Sequence, residues 1–209
     1  KMKILIIGVG KMGYAMLSSW HDANKNRKLQ FHIVEKNKKI VNGVKKKYKS
    51  LSVSNNIPIN WKGDLIVFSV KPQSFKIVSK EILKNNVKYK SVVSIMAGIS
   101  VSNIRKALKT KLDVSRVMPN IAVSIKQGVC CIFHSKNSED KNKNNIEKLF
   151  KILGSILVLE NEKLLNSVTA ISGSGPAYFF LFFSVFENIT RELGFNKKNS
   201  KKIVYQTIR

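Results

Sequence analysis

The chain has 209 residues, 44% of them hydrophobic, and carries 38 lysines and arginines against 12 acids, a formal net charge of +26. That apolar content excludes a disordered chain and is enough for one sizeable core, or for one domain and part of a second. The charge invites a polyanion partner, yet the lysines are spread through "NKNRK", "KNKK", "VKKKYK", "KNNVKYK" and "KNKNN" with few aromatics among them, so they read as solvated faces and nucleic acid is not expected as a partner.

Residues 3–7 form a short apolar run ending at Gly8, followed by an amphipathic stretch over 12–23 and by "FHIV" at 31–34: strand, glycine turn, helix, strand. Helical spacing follows over 39–48, then a short strand near 51–53, the apolar run "DLIVFSV" ending at Val70, a helix over 74–83, and the strand "SVVSI" closed by "MAGIS". Strands that are apolar on both faces and alternate with helices predict an α/β fold, a doubly wound Rossmann-type domain with a parallel sheet. Further on, "VSNIRKAL" reads as a helix capped by Ser100 or Ser102, "SRVMPNIAVSI" and "GVCCIF" as strands, "IEKLFKIL" as a helix stopped by Gly154, and "SILVL" as the last strand. The polar run "HSKNSEDKNKNN" reads as a surface loop. From Glu160 onward only helical patterns remain, which places the boundary there: 1–160 for the Rossmann domain and 161–209 for an all-helical region. The final "NSKKIVYQTIR" opens on a capping Asn or Ser and carries no stop signal, so the helical region is expected to be incomplete at its C-terminus.

No apolar run is expected to reach the roughly 18 to 20 residues of a membrane span, the richest being 177–186, and no small-residue cleavage site follows the N-terminus. A cytoplasmic location is expected. Strand alternation sends the adjacent Cys130 and Cys131 to opposite faces, which makes a mutual disulfide poor and fits a reducing compartment. His21, His32 and His134 show no ligand spacing with each other or with the cysteines, so no metal site is expected.

"GVGKMG" lies where a dinucleotide fingerprint must lie, between a first strand and a helix. Gly8 permits the tight turn, Gly10 lets the backbone approach a pyrophosphate, and Gly13 lets the helix pack closely, with Val9, Lys11 and Met12 completing the loop. The helix start offers unpaired N–H groups to the phosphates. After the second strand, Glu35 suits the ribose hydroxyls of NAD(H), whereas Lys36, Asn37 and Lys38 suit the 2′-phosphate of NADP(H); the polar and cationic majority leans to NADP(H). Ser69, Val70, Lys71 and Pro72, and then Met96, Ala97 and Gly98, follow two further strands on the carboxyl edge, where open α/β sheets bind ligands.

These segments, with "RVMPN" and above all "TAISGSGPAYFF", in this order and spacing, resemble the pyrroline-5-carboxylate reductases. The resemblance covers the whole chain. It implies a dinucleotide domain and a helical domain that forms a homodimer, often within larger rings, and hydride transfer from NADP(H) or NAD(H) to C5 of 1-pyrroline-5-carboxylate, giving L-proline, with no metal and no covalent intermediate. It also implies a cofactor contact at Asn56 and a position near substrate for Glu162. Gly173 and Gly175 are expected to turn the backbone sharply before Pro176 in a first helical turn, leaving free N–H groups that, with Thr169, Ser172 and Ser174, face a small anionic substrate. The helix that follows is apolar on nearly all faces and should be buried against a second subunit. The family's later Ser-Pro-Gly-Gly-Thr-type segment has no counterpart in this chain, which leaves its own activity open.

A protonated cyclic imine is already an electrophile, so positioning supplies most of the catalysis and no buried acid–base pair is demanded. The β-hydroxyacid dehydrogenases share a G-x-G-x-M-G start but use a Lys-x-x-x-Asn setting; Lys163 is followed four residues on by Ser167. A basic nucleic-acid binder would leave the glycine loop and "SGSGPAY" without a role.

Overall fold

The computed structural model describes residues 1–208. Eight strands form one sheet in the order β3-β2-β1-β4-β5-β6-β7-β8: β1 (Met2–Ile7), β2 (Leu29–Val34), β3 (Ser52–Ser54), β4 (Leu65–Phe68), β5 (Ser91–Ser94), β6 (Asp113–Pro119), β7 (Gly128–His134) and β8 (Gly154–Leu159). The first six run parallel, as the two-faced apolar strands predict. β7 departs from that expectation by pairing antiparallel to β6, Met118 opposite Cys131. The connection over 120–127 is too short for the dozen or more residues of a parallel crossover, so the chain turns back on itself.

Period-two alternation splits the core into layers on the two faces of the sheet. Ile4 and Ile6 join Leu17, Trp20, Phe31 and Phe150 on one face; Leu5 and Ile7 join Ile66, Phe68, Val92 and Ile104 on the other. α1 (Lys11–Ala23) covers the first layer, where Trp20 is fully buried with its indole N–H donating to the Leu149 carbonyl at 2.8 Å. A buried indole N–H without such an acceptor would offset much of what the ring contributes. α2 (Lys38–Lys47), α3 (Phe75–Lys84), α4 (Val101–Leu108) and α5 (Asp140–Lys151) complete the two outer layers. Ser100 caps α4, its Oγ accepting from Asn103 N. α5 begins inside the polar run expected to be a loop, and residues 121–125 form a 3-10 turn, not a strand, because Pro119 has no N–H with which to continue the ladder.

After β8 everything described is helical: α6 (Leu164–Val168), a π-helical turn at Thr169–Gly173, α7 (Gly175–Glu192) and α8 (Lys197–Ile208). The cap of α8 is Asn196, whose Oδ1 accepts from Asn199 N, one turn earlier than the sequence pattern places it. One sequence expectation fails here: the run Leu164–Glu192 is 29 residues long, with an 18-residue window of mean hydropathy 1.4, which by length and composition alone could cross a membrane. Within the single chain α7 is open, as a helix whose expected cover is a second subunit would be: Gly175 is its one buried residue, while Phe179 is 65% and Phe182 53% exposed.

Candidate active site

The three glycines of the first loop have separable reasons. Gly8 stands at φ +90°, and a Cβ there would lie 2.7 Å from the Ser69 carbonyl oxygen. A Cβ on Gly13 would lie 2.6 Å from both the Gly8 carbonyl oxygen and Ser69 Oγ. A Cβ on Gly10 meets nothing within 4 Å. The fold therefore requires Gly8 and Gly13, whereas Gly10 keeps a cleft open for something from outside. Gly10 is also the N-cap of α1, with no side-chain cap and no acid in the first turn, so the leading N–H groups of that helix are left to a ligand.

Two clefts meet at this loop. One, of about 460 Å³, runs between the ends of β1, β2 and β4 and is lined by Gly8, Gly10, Glu35, Lys36, Asn37, Ser69, Val70 and Lys71. The other, of about 340 Å³, shares Gly10 and Ser69–Lys71 and adds Lys11, Met12, Gly13, Pro72, Met96, Ala97, Met118 and Pro119. The carboxyl edge thus gathers most of the cofactor residues expected from sequence. Val9 is buried beneath the loop, and Gly98, at φ +73°, and Asn56 line neither cleft. Asn56 gives only its carbonyl, to Ser54 Oγ; its neighbour Asn55 ties Nδ2 to the Glu35 carbonyl at 3.1 Å.

Directly after Pro119, the last residue lining the second cleft, stands Asn120, which sequence reasoning did not single out. Its Oδ1 accepts from Val129 N at 3.3 Å and its Nδ2 donates to Ser172 Oγ at 3.5 Å, joining the sheet edge to the π turn. The "RVMPN" run at a strand's carboxyl end was the signal available for it. Thr169 Oγ1 donates to the Leu165 carbonyl and Ser174 Oγ to the Thr169 carbonyl, so of the three hydroxyls Ser172 alone reaches across.

No sharp turn precedes Pro176. Ser174 N donates to the Thr169 carbonyl five residues back, at 3.0 Å, and the helix continues. Proline has no N–H to give and its ring crowds the carbonyl four residues earlier, here Ser172; a widened turn relieves both. The expected free N–H cradle is absent in that form, and what the turn presents instead is the hydroxyl group of Ser172.

Glu162 is not a free surface acid but a partly exposed partner in a fixed contact. Its Oε1 accepts from Val101 N at 2.8 Å, at the start of α4, and from Arg116 Nη1 at 3.0 Å. The side chains are 26% and 6% exposed, and Arg116 Nε has no partner. This pair fastens the start of the helical segment to β6 and α4, close behind Met118 and Pro119. Burial pushes the Cys130 thiol up to about 12, with the Cys131 thiol adding to the shift, and burial raises Cys131 as well; each packs into a different core cluster, on opposite faces.

A profile described as NADP oxidoreductase, coenzyme F420-dependent matches residues 3–98, and one described as pyrroline-5-carboxylate reductase dimerisation matches residues 162–209. The chain is similar to the pyrroline-5-carboxylate reductase of Vibrio alginolyticus, 34% identical over 155 residues that cover 74% of this chain and 57% of that one. It is also similar to that of Staphylococcus epidermidis, 27% identical over 99% of this chain and 76% of that one. Among solved structures, 1-pyrroline-5-carboxylate reductase from Streptococcus pyogenes superposes with a TM-score of 0.85 at 27% identity, covering 99% of this chain and 76% of that one. The Plasmodium falciparum pyrroline carboxylate reductase with NADP bound superposes with a TM-score of 0.83 at 25% identity, covering 100% and 76%. The chain therefore spans between 57% and 76% of the length of these relatives.

Proposed function

Because the chain belongs to the pyrroline-5-carboxylate reductase family, we propose that it binds NAD(P)H along the carboxyl edge of the sheet and reduces the C=N bond of 1-pyrroline-5-carboxylate to give L-proline. The observation that carries this reading is the convergence of the glycine loop and the Ser69–Pro72 and Met96–Ala97 turns on two adjoining clefts at the carboxyl edge of the sheet, with the Asn120–Ser172 contact directly after Pro119.

The bound dinucleotide supplies the hydride. The chain's residues do the rest by placement. The uncapped start of α1 meets the pyrophosphate, with Gly10 giving it room. Ser69–Pro72 and the Met96–Ala97 turn, with Met118 and Pro119, line the second cleft and would hold the nicotinamide end and the imine ring beside it. Of the three hydroxyls, Ser172 keeps its O–H to donate to the substrate carboxylate, because its Oγ accepts from Asn120, whereas Thr169 and Ser174 spend their protons on backbone carbonyls and shape the turn. Glu162 acts as a positioning residue, through Arg116 and the start of α4. We assign 1–160 to the dinucleotide domain and 161–209 to substrate binding and dimerisation, with a second copy of the chain covering the exposed face of α7. Its two free, buried thiols accord with a cytoplasmic location.

Oxidation of NADH or NADPH by 1-pyrroline-5-carboxylate, followed in the natural gene product, tests the assignment. Turnover with proline as product is expected. Cofactor binding without turnover would overturn the substrate and leave the dinucleotide site standing.

A further inference from the structure

The cleft that takes the adenosine half already contains a fixed anion. Glu35 is the first residue after β2, and its carboxylate is held on both oxygens: Oε2 accepts from Val9 N in the glycine loop at 2.9 Å and Oε1 accepts from Asn37 N at 2.9 Å. Its backbone is pinned as well, the N–H donating to the Ser54 carbonyl at 3.1 Å and the carbonyl accepting from Asn55 Nδ2 at 3.1 Å. A carboxylate so held cannot swing away from an incoming ligand.

Around it, the backbone amides are taken up and the nearest cation already faces a second carboxylate. Lys36 Nζ lies 3.8 Å from Glu81 Oε2, and Glu81 is a second carboxylate lining the same cleft. Asn37 turns its Oδ1 away to cap α2, accepting from Lys39 N and Ile40 N, while its own N–H is spent on Glu35. Lys38 and Lys39 are exposed at the start of α2 and line neither cleft.

We propose that Glu35 makes the chain selective for the dinucleotide without a 2′-phosphate, NADH over NADPH, by presenting a clamped carboxylate to the adenosine ribose. Each oxygen retains a lone pair after its backbone bond and can accept a ribose hydroxyl, the pairing that favours NAD in this type of fold. A 2′-phosphate at the same place meets a like charge and finds the Val9 and Asn37 amides occupied. The inference rests on the dinucleotide reading above and goes against the lean toward NADP(H) that Lys36, Asn37 and Lys38 give in the sequence.

The test is a pair of titrations of the 209-residue chain with NADH and with NADPH, read by nicotinamide fluorescence, on the native chain and on Glu35→Gln. NADH is expected to bind about tenfold or more tightly than NADPH, a difference of roughly 1.4 kcal/mol, and Glu35→Gln is expected to narrow or invert that ratio. Equal or tighter binding of NADPH by the native chain overturns the proposal, whatever the variant does. So does an unchanged ratio in a Glu35→Gln chain whose circular dichroism matches the native. Binding of neither dinucleotide to folded chain would remove the dinucleotide site itself, and this inference with it.

Discussion

Substituting Gly10 separates what the glycine loop does for the fold from what it does for a ligand. Gly10 has φ −59° and ψ −170°, a conformation open to any L-residue, and its Cβ would meet no atom within 4 Å. Gly10→Ala therefore adds no strain and removes freedom from the unfolded chain, an effect of about 0.4 to 1 kcal/mol in favour of the fold. Gly10→Val should leave stability within roughly 0.5 kcal/mol of the native chain. Either side chain projects into the cleft where a pyrophosphate must approach the start of α1. Loss of one charged hydrogen bond costs about 1.5 to 3 kcal/mol, roughly 10- to 150-fold in affinity, so Gly10→Val should weaken dinucleotide binding by at least that factor. Gly13→Val makes the contrast, because its Cβ is driven to 2.6 Å from the Gly8 carbonyl oxygen; overpacking of that kind costs about 1 to 3 kcal/mol and should lower stability and binding together. Thermal unfolding and fluorescence titration of the three variants decide the matter. Undiminished dinucleotide affinity in Gly10→Val, or a melting point that falls as far as that of Gly13→Val, would refute the assignment of the loop.

Removing one partner of the buried Arg116–Glu162 pair should be expensive: Glu162→Ala is expected to cost about 3 kcal/mol by urea unfolding, and Arg116→Met with Glu162→Leu to recover part of it, since it is the uncompensated charge that destabilises; a loss below about 1 kcal/mol would count against the latch. Burial lowers the pKa of His32 beneath its ordinary 6.5, and burial, partly opposed by the bond to Glu147, lowers that of His134. Both histidines are thus neutral in the folded chain while the unfolded chain takes up protons below about 6.5, so their contribution is fully present above that pH and is lost as the pH falls beneath it. Urea midpoints at about pH 7.5 and 5.5 should show the loss, and it should shrink in the double His32→Gln/His134→Gln variant. Cys130 and Cys131 should both resist a thiol reagent in the native chain and both react once it is unfolded, because burial holds each thiol in its protonated form; native-state labelling of either would contradict their packing.

The features legible in the sequence are those whose cause is local. The fingerprint over 8–13 follows from hydrophobic periodicity, and the Ser100 cap from the chemistry of a few adjacent residues. Cys130 and Cys131 part to opposite faces because strand geometry alone demands it. What escaped depends on partners far along the chain or on competition between local signals. The Glu162–Arg116 contact spans 46 positions, and nothing near Glu162 distinguishes a latch from a surface acid. Glu35 was correctly placed at the end of β2, yet its partners lie in a loop 26 positions away and in the turn that follows it. At "SGSGPA" the composition signals a turn, yet the helix carries through it, and proline is accommodated by widening the helix, not by ending it.

That accommodation explains how one apolar segment serves two surfaces. Along α7 the rings of Phe179, Phe182, Phe183 and Phe186 lie beside one another, and most of that surface is open to water in the single chain. At roughly 25 cal/mol per Å² of apolar surface removed from water, so large an exposed face is a strong drive toward association. Length and composition alone would allow lipid to satisfy it. The π turn at the head of the same run is against that: Ser172 is bonded to Asn120 at the carboxyl edge of a sheet whose loops carry lysines into solvent. A second protein surface covers the rings without taking the hydroxyls from the cleft. On the function proposed above, the end of the run nearest the sheet would meet the substrate while the remainder would be buried between copies, which would tie completion of the site to assembly.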